Sequence, residues 1–231
     1  MIKLYIEENP NLKINKAKIA EILKNVNGVE IVAATKYISE PAMKDLFEAG
    51  ITSFGENRVE PFIRKHNNLK DLGARWHFIG HLQRNKANKI INDIDVLHSL
   101  DSLELAKIIN NKRELPLDCY IELKLVDNPN KDGVLENDLE GFINEIKNNY
   151  KKINIIGLMA MSEPDMTDDM KKDLFKRVKA IGLKYNLHQF SMGMSDDYID
   201  AIEAGSTCIR LGRILYNMWG DNDGRTYIRW N

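Results

Sequence analysis

Cysteine is scarce: the chain of 231 residues has two, Cys119 and Cys208. No CxxC or Cys/His spacing surrounds either, which points away from structural zinc, and both sit in apolar runs expected to hold reduced core thiols. Long apolar runs are missing as well. The N-terminal stretch MIKLYIEENPNLKINKAK has no apolar segment long enough for a signal peptide. No run approaches the ~20 apolar residues that cross a bilayer, so the expectation is a cytoplasmic protein with no membrane partner. Neither sign of charge is in surplus. Lys and Arg number 33 against 34 Asp and Glu, a net charge of -1, so no global field draws the chain to nucleic acid or to an anionic lipid surface. Trp76, Trp219 and Trp230 are scattered and form no stacking platform for single-stranded nucleic acid. Internal repeats and low-complexity tracts are absent. So is a glycine-rich turn after the first strand candidate, a feature of open dinucleotide-binding sheets.

With 43% hydrophobic and 29% charged residues, the chain reads as a soluble globular protein. Eight short apolar segments read as strands: 31–36, 52–55, 75–80, 96–100, 118–125, 154–161, 188–192 and 207–212. Amphipathic stretches separate them. The stretch 41–49 has Pro41 in its first turn and ends before Gly50. That at 103–110 follows Asp101 or Ser102 as N-cap. Leu139, Phe142, Ile143 and Ile146 recur at helical spacing within 135–150, and 196–204 stops at Gly205. A further helix, 16–25, precedes the first strand. Regular alternation of strand and helix without a large linker predicts an α/β fold, a single (β/α)8 TIM barrel with an additional N-terminal helix, in which residues 1–231 form one domain. A polar loop is expected at 127–133, DNPNKDG.

In such a barrel the chemistry sits at the C-terminal strand ends. The first segment, IVAATKY at 31–37, runs into Lys36. A lysine there either marks where the strand surfaces or serves as a nucleophile. A free amine titrates near ~10.4 and attacks poorly at neutral pH, but desolvation or neighbouring cations lower that value and allow a Schiff base with a carbonyl. The seventh and eighth segments, FSMGMSDD and CIRLGRILYN, each pass through a glycine-bearing turn. Gly193 and Gly212 let backbone amides approach a ligand, and Ser191 and Ser195 add hydroxyls. Barrels often hold a phosphate there, near a short extra helix, here 213–218; two ordinary capped turns would read the same way. An amine that captures an aldehyde and a phosphate socket on one rim are the two requirements for pyridoxal phosphate (PLP). Arg210, two residues before Gly212, points to the same side and needs an acceptor: a pyridine nitrogen, or Glu122 or Glu56. His77 and His81 have no third ligand at suitable spacing and read as a barrel rim and a core polar contact. Met159, Met161, Met192 and Met194 read as packing, and RNKANK at 84–89 as a solvated helix face.

VAATK (32–36), FGENRVEPFIRK (54–65), WHFIGHLQRNKANKI (76–90), HSLDSLELA (98–106), GLMAM (157–161), FSMGMSDDYIDAIEAGST (190–207) and IRLG (209–212) together closely resemble the pyridoxal-phosphate homeostasis proteins, the YggS and PROSC family. These are similar to the N-terminal barrel of alanine racemase standing alone. The resemblance implies that Lys36 carries PLP as a Schiff base. It implies further that Ser191 and the backbone of Gly212 and Arg213 hold the phosphate, that Arg210 faces the pyridine nitrogen, and that Asn57 and His81 lie near the cofactor rim. It implies a protein that buffers or delivers PLP in the cell without robust turnover, a monomer whose partners are PLP itself and apo-enzymes that accept it. Two departures stand out. The family carries a small hydroxyl residue where this chain has Arg213, and LKLVDNPNKDG replaces the usual fifth-strand ending, although Lys131 and Gly133 still fit its lysine-x-glycine pattern.

Two further readings remain at this stage. A PLP-dependent amino-acid racemase, or another weak PLP enzyme, needs a second acid or base on the opposite face of the substrate. In alanine racemase that group comes from a C-terminal domain and a dimer partner, and this chain ends at Asn231, soon after the last strand. A phosphate-binding barrel without a Schiff base is the other.

Overall fold

The computed structural model describes residues 8, 12–125 and 132–217. Eight strands build the central barrel: β1 (Glu30–Ala34), β2 (Ser53–Glu56), β3 (Arg75–Phe78), β4 (Val96–Leu100), β5 (Leu117–Lys124), β6 (Ile153–Met159), β7 (Gln189–Ser191) and β8 (Cys208–Leu211). Each pairs in parallel with the next. β8 returns to β1, with Ile209 opposite Ile31, so the sheet closes and these strands leave no edge. Around it lie α2 (Glu40–Glu48), α3 (Val59–Leu69), α4 (Arg84–Ala87), α5 (Leu103–Lys112), α6 (Leu139–Asn149), α7 (Asp168–Lys184) and α8 (Tyr198–Glu203), with α1 (Lys16–Asn25) ahead of β1.

The elements follow from local chemistry. Asn15 caps α1 by accepting the Lys18 amide at 3.0 Å, and of the two candidates at α5 it is Ser102 that accepts the Leu105 amide at 3.4 Å. The strands are buried on both faces, hence their continuous apolar runs. Outward-facing residues such as Ala33, Phe54 and Leu97 join the large core beneath the helices. Inward-facing Val32, Val96, Tyr120, Met159 and Cys208 form a separate, smaller cluster inside the barrel. Cys119 and Cys208 are both buried and free of disulfides.

Several boundaries differ from the sequence reading. β1 stops at Ala34, and Lys36 lies in the turn beyond it, because the Thr35 carbonyl accepts the Ile38 amide at 3.2 Å and bends the chain. The region 135–150 divides into a 3-10 turn (Glu136–Asp138) and α6. α8 begins at Tyr198, since Asp197 binds back to the Met194 amide at 2.6 Å and holds 194–197 as a loop. The extra helix expected at 213–218 is one 3-10 turn, Arg213–Leu215, after which Tyr216–Asn217 pairs antiparallel with Lys13–Ile14; Met218 lies outside the described residues, as does most of the loop expected at 127–133. No helix among the described residues is long and apolar enough to cross a membrane.

Candidate functional site

Lys36 stands half-buried at the C-terminal mouth of the barrel, its Nζ 4.7 Å from the centre of the Tyr37 ring. The turn that carries it is braced from behind. The Thr35 amide donates to Gly55 O at 2.9 Å. The Thr35 hydroxyl donates to Glu56 Oε1 at 2.6 Å, and Lys65 Nζ, from α3, donates to both Glu56 Oε1 at 2.7 Å and the Thr35 carbonyl at 2.5 Å. All three residues are wholly buried. An ion pair out of water is costly unless its geometry is good and its other groups are satisfied; here it ties β1, β2 and α3 together next to Lys36.

Beside that turn lie the loops after β7 and β8. Gly193 has φ +92, and a Cβ there would sit 2.6 Å from the Ala201 Cβ, so the chain can turn this tightly against α8 only with glycine. The Gly212 amide donates to Ser195 Oγ at 3.2 Å. Arg213 opens the 3-10 turn, where a leading amide has no partner within the helix, and its guanidinium pairs with Asp196 across the loop.

Arg210 is almost wholly buried in the barrel interior. Its Nη1 donates to the Ser191 carbonyl at 2.7 Å and to Ser191 Oγ, and its Nη2 to the Ala160 carbonyl at 3.2 Å. Backbone and hydroxyl oxygens thus take the place of the ion pair to Glu122 or Glu56 considered from sequence. Burial lowers its pKa from the ordinary value, against the upward pull of Cys208, Glu122 and Asp197. Ser191 lies below the loops. The period of two along β7 turns its side chain inward beneath the mouth, where it is wholly buried and its hydroxyl is committed to Arg210 and, at 2.8 Å, to His98 Nδ1. The hydroxyl that reaches the loops is that of Ser195.

The far side of the mouth holds a cavity of about 410 Å3, lined in part by Asn57, His81, Glu122 and Asp132. It takes in Asn57 and His81 of the expected residues, but not Lys36, Ser191, Arg210, Gly212 or Arg213. Asn57 Oδ1 is buried with no hydrogen-bond partner among the described residues. A Cβ on Gly80 would approach the Asn57 carbonyl to 2.5 Å, so glycine is what lets the loops after β2 and β3 close on each other here. His81 is exposed, its Nδ1 3.2 Å from Asp101 Oδ2 and 3.0 Å from Asp132 Oδ2. Burial, with Asp101 and Asp132 nearby, pushes Glu122 up to about 7, partly offset by Arg210 and His81.

Sequence reasoning missed a row of polar groups inside the barrel. His98 Nε2 lies 2.9 Å from His77 Nδ1, and His77 Nε2 lies 3.2 Å from Glu30 Oε1. Inward parity along β1, β3 and β4 was the available signal; which inward residues meet depends on closure of the barrel.

No family model matches the chain. It is 31% identical over 199 residues to the pyridoxal phosphate homeostasis protein of Aquifex aeolicus, covering 82% of this chain and 87% of that protein. Among solved structures it resembles PipY of Synechococcus elongatus PCC7942 with PLP bound, at 28% identity and a TM-score of 0.81, covering 87% of this chain and 99% of that one. Alanine racemase from Corynebacterium glutamicum shares the fold, with a TM-score of 0.65 at 16% identity over 94% of this chain and 65% of that one.

Proposed function

The chain belongs to the pyridoxal phosphate homeostasis proteins, and on that premise we propose that it holds PLP reversibly at the C-terminal mouth of its barrel and releases it to other proteins. The residues on hand fit the cofactor. PLP, when bound, supplies an aldehyde that an amine can capture, a ring nitrogen that accepts a hydrogen bond and a phosphate that amides and hydroxyls can grip. Lys36 offers the amine, Arg210 a guanidinium beneath it, and the Ser195 hydroxyl with the Gly212 and Arg213 backbone the phosphate grip, while Asn57 brings a side-chain amide with an orphaned oxygen. Adjacency carries the reading: β1 is hydrogen-bonded to both β8 and β2, so the Lys36 turn stands between the Gly212 loop and the Asn57 loop.

The parts of each residue follow from their settings. The buried Lys65–Glu56 pair fixes the Lys36 backbone at the mouth. Arg210 donates without giving up its proton, so beside a bound ring it would leave the nitrogen unprotonated and the ring a weak electron sink, which suits storage over turnover. Ser191 serves from within, by orienting Arg210. His81 and its two carboxylates flank the opening. Two buried thiols agree with a cytoplasmic setting, and hand-over by a monomer to apo-enzymes completes the proposal.

The test is to incubate the protein with PLP, reduce with borohydride and map the adduct by peptide mass. An adduct on Lys36 that disappears in a folded Lys36→Ala variant is expected. An adduct elsewhere, or none, would overturn the assignment.

A further inference from the structure

The barrel interior is crossed by a file of polar side chains. It starts at Arg210, passes through Ser191, His98 and His77, and ends at Glu30. Arg210 belongs to the end of β8 near the mouth, while Glu30 opens β1 at the opposite, N-terminal end. Ser191, His77 and His98 are wholly buried, whereas Glu30 is a quarter exposed. Barrel interiors are ordinarily filled by branched apolar side chains, so two imidazoles here carry a desolvation cost that packing alone does not explain.

Both ends of the file have fixed polarity. A guanidinium only donates and a carboxylate only accepts. His77 Nε2 faces Glu30 Oε1 at 3.2 Å and has no hydrogen-bond partner among the described residues; a lone pair turned to that carboxylate would be repelled, so a hydrogen on this nitrogen is favoured. That last link is a close contact, not a hydrogen bond. Where each ring carries one hydrogen, His77 Nδ1 accepts from His98 Nε2, His98 Nδ1 accepts from the Ser191 hydroxyl, and Ser191 Oγ accepts from Arg210. Every link points the same way. Burial, reinforced by Arg210, holds His98 well below the ordinary imidazole pKa, which keeps that ring neutral. Glu30 is also gripped by the Ser53 hydroxyl at 2.9 Å and by Arg75 at 3.2 Å. Those two partners favour the ionised form of this terminal carboxylate.

We propose that His98 and His77 are positioning residues: a one-way hydrogen-bond chain anchored on Glu30 that holds Ser191 and Arg210 in a single orientation and transmits the charge state of the N-terminal face to the cofactor ring. Successive donors polarise one another along such a file, so the Glu30 carboxylate makes Ser191 Oγ a better acceptor and keeps Arg210 locked. This deepens the proposed function and rests on Arg210 facing the bound ring.

Two measurements test it. In protein labelled with 15N-histidine and free of PLP, long-range 1H–15N spectra at neutral pH should show both His77 and His98 protonated at Nε2 alone. A hydrogen on His98 Nδ1, or a doubly protonated His77, would overturn the chain. Glu30→Gln is then loaded with PLP beside the parent and Asp93→Asn, an exposed carboxylate in the loop that precedes β4. The expected result is a displaced absorption maximum of bound PLP and a several-fold weaker affinity in Glu30→Gln, with Asp93→Asn like the parent. A Glu30→Gln spectrum and affinity equal to the parent's would refute the transmission, as would an equal change in Asp93→Asn. If the parent itself takes no PLP on Lys36, the site assignment fails, and the tautomers in the unloaded protein still decide the chain.

Discussion

Replacing Lys65 by methionine should unfold the protein far more readily than its place on a surface helix suggests. The side chain lies entirely out of water, and its ammonium is the one cation bonded to the equally buried Glu56 among the described residues. Removing it leaves Glu56 Oε1 with only the Thr35 hydroxyl, while Oε2 already lacks a partner. Stranding a buried charge costs about 3–5 kcal/mol, a large share of the ~5–15 kcal/mol by which domains are stable. Apolar replacement of both partners is often neutral or better, so Glu56→Leu with Lys65→Met should recover most of that loss. Urea titration followed by circular dichroism measures both. A cost below about 1 kcal/mol for Lys65→Met, against the range expected for broken buried pairs, would refute the reasoning, as would a double variant no better than the single one. The double variant also isolates the brace: it folds, yet the Thr35 carbonyl has lost its Nζ donor, and its affinity for PLP should fall while its stability holds.

Ser195→Ala should weaken PLP binding about tenfold or more, since a hydrogen bond to a charged group contributes roughly 1.5–3 kcal/mol; equilibrium fluorescence titration measures it, and an unchanged affinity would remove Ser195 from the phosphate grip. Glu122 has a folded-state pKa raised from 4.5 to about 7, so the folded protein binds the extra proton and stability falls as pH rises through that interval. Glu122→Gln should accordingly unfold later than the parent above pH 7 and alongside it below the unfolded value; thermal melts across pH report the difference, and parallel profiles would count against a buried acid there.

All eight strands were legible because burial on both faces writes them as apolar runs, and Lys36 stands out in sequence because it ends one. Strand limits shifted where backbone bonds decide them, as at Thr35 and Asp197. Lys65 was not readable: within FIRK it looks like one more exposed cation, and only the docking of α3 on β1 and β2 buries it. Ser191 and Ser195, four residues apart in SMGMS, differ in setting: strand parity turns the first into the barrel, and the second sits in the loop. The row from Glu30 to Arg210 joins five strands, and no spacing along the chain announces such a meeting.

The pairing of β1 with β8 gives the molecule a seam. Lys36 follows the first strand and Gly212 the last, so the two halves of the proposed site come from opposite ends of the fold. With the site as proposed, a nascent chain still short of residue 212 would have the amine and no grip, and the ligand would bind only after the final strand has docked. PLP would then act as a clasp across the seam, adding about 2.7 kcal/mol at a free concentration a hundredfold above its dissociation constant. A vitamin-starved cell would hold the same barrel with its clasp undone, and turnover by proteases that probe opened seams would report how much cofactor the cell has to spare.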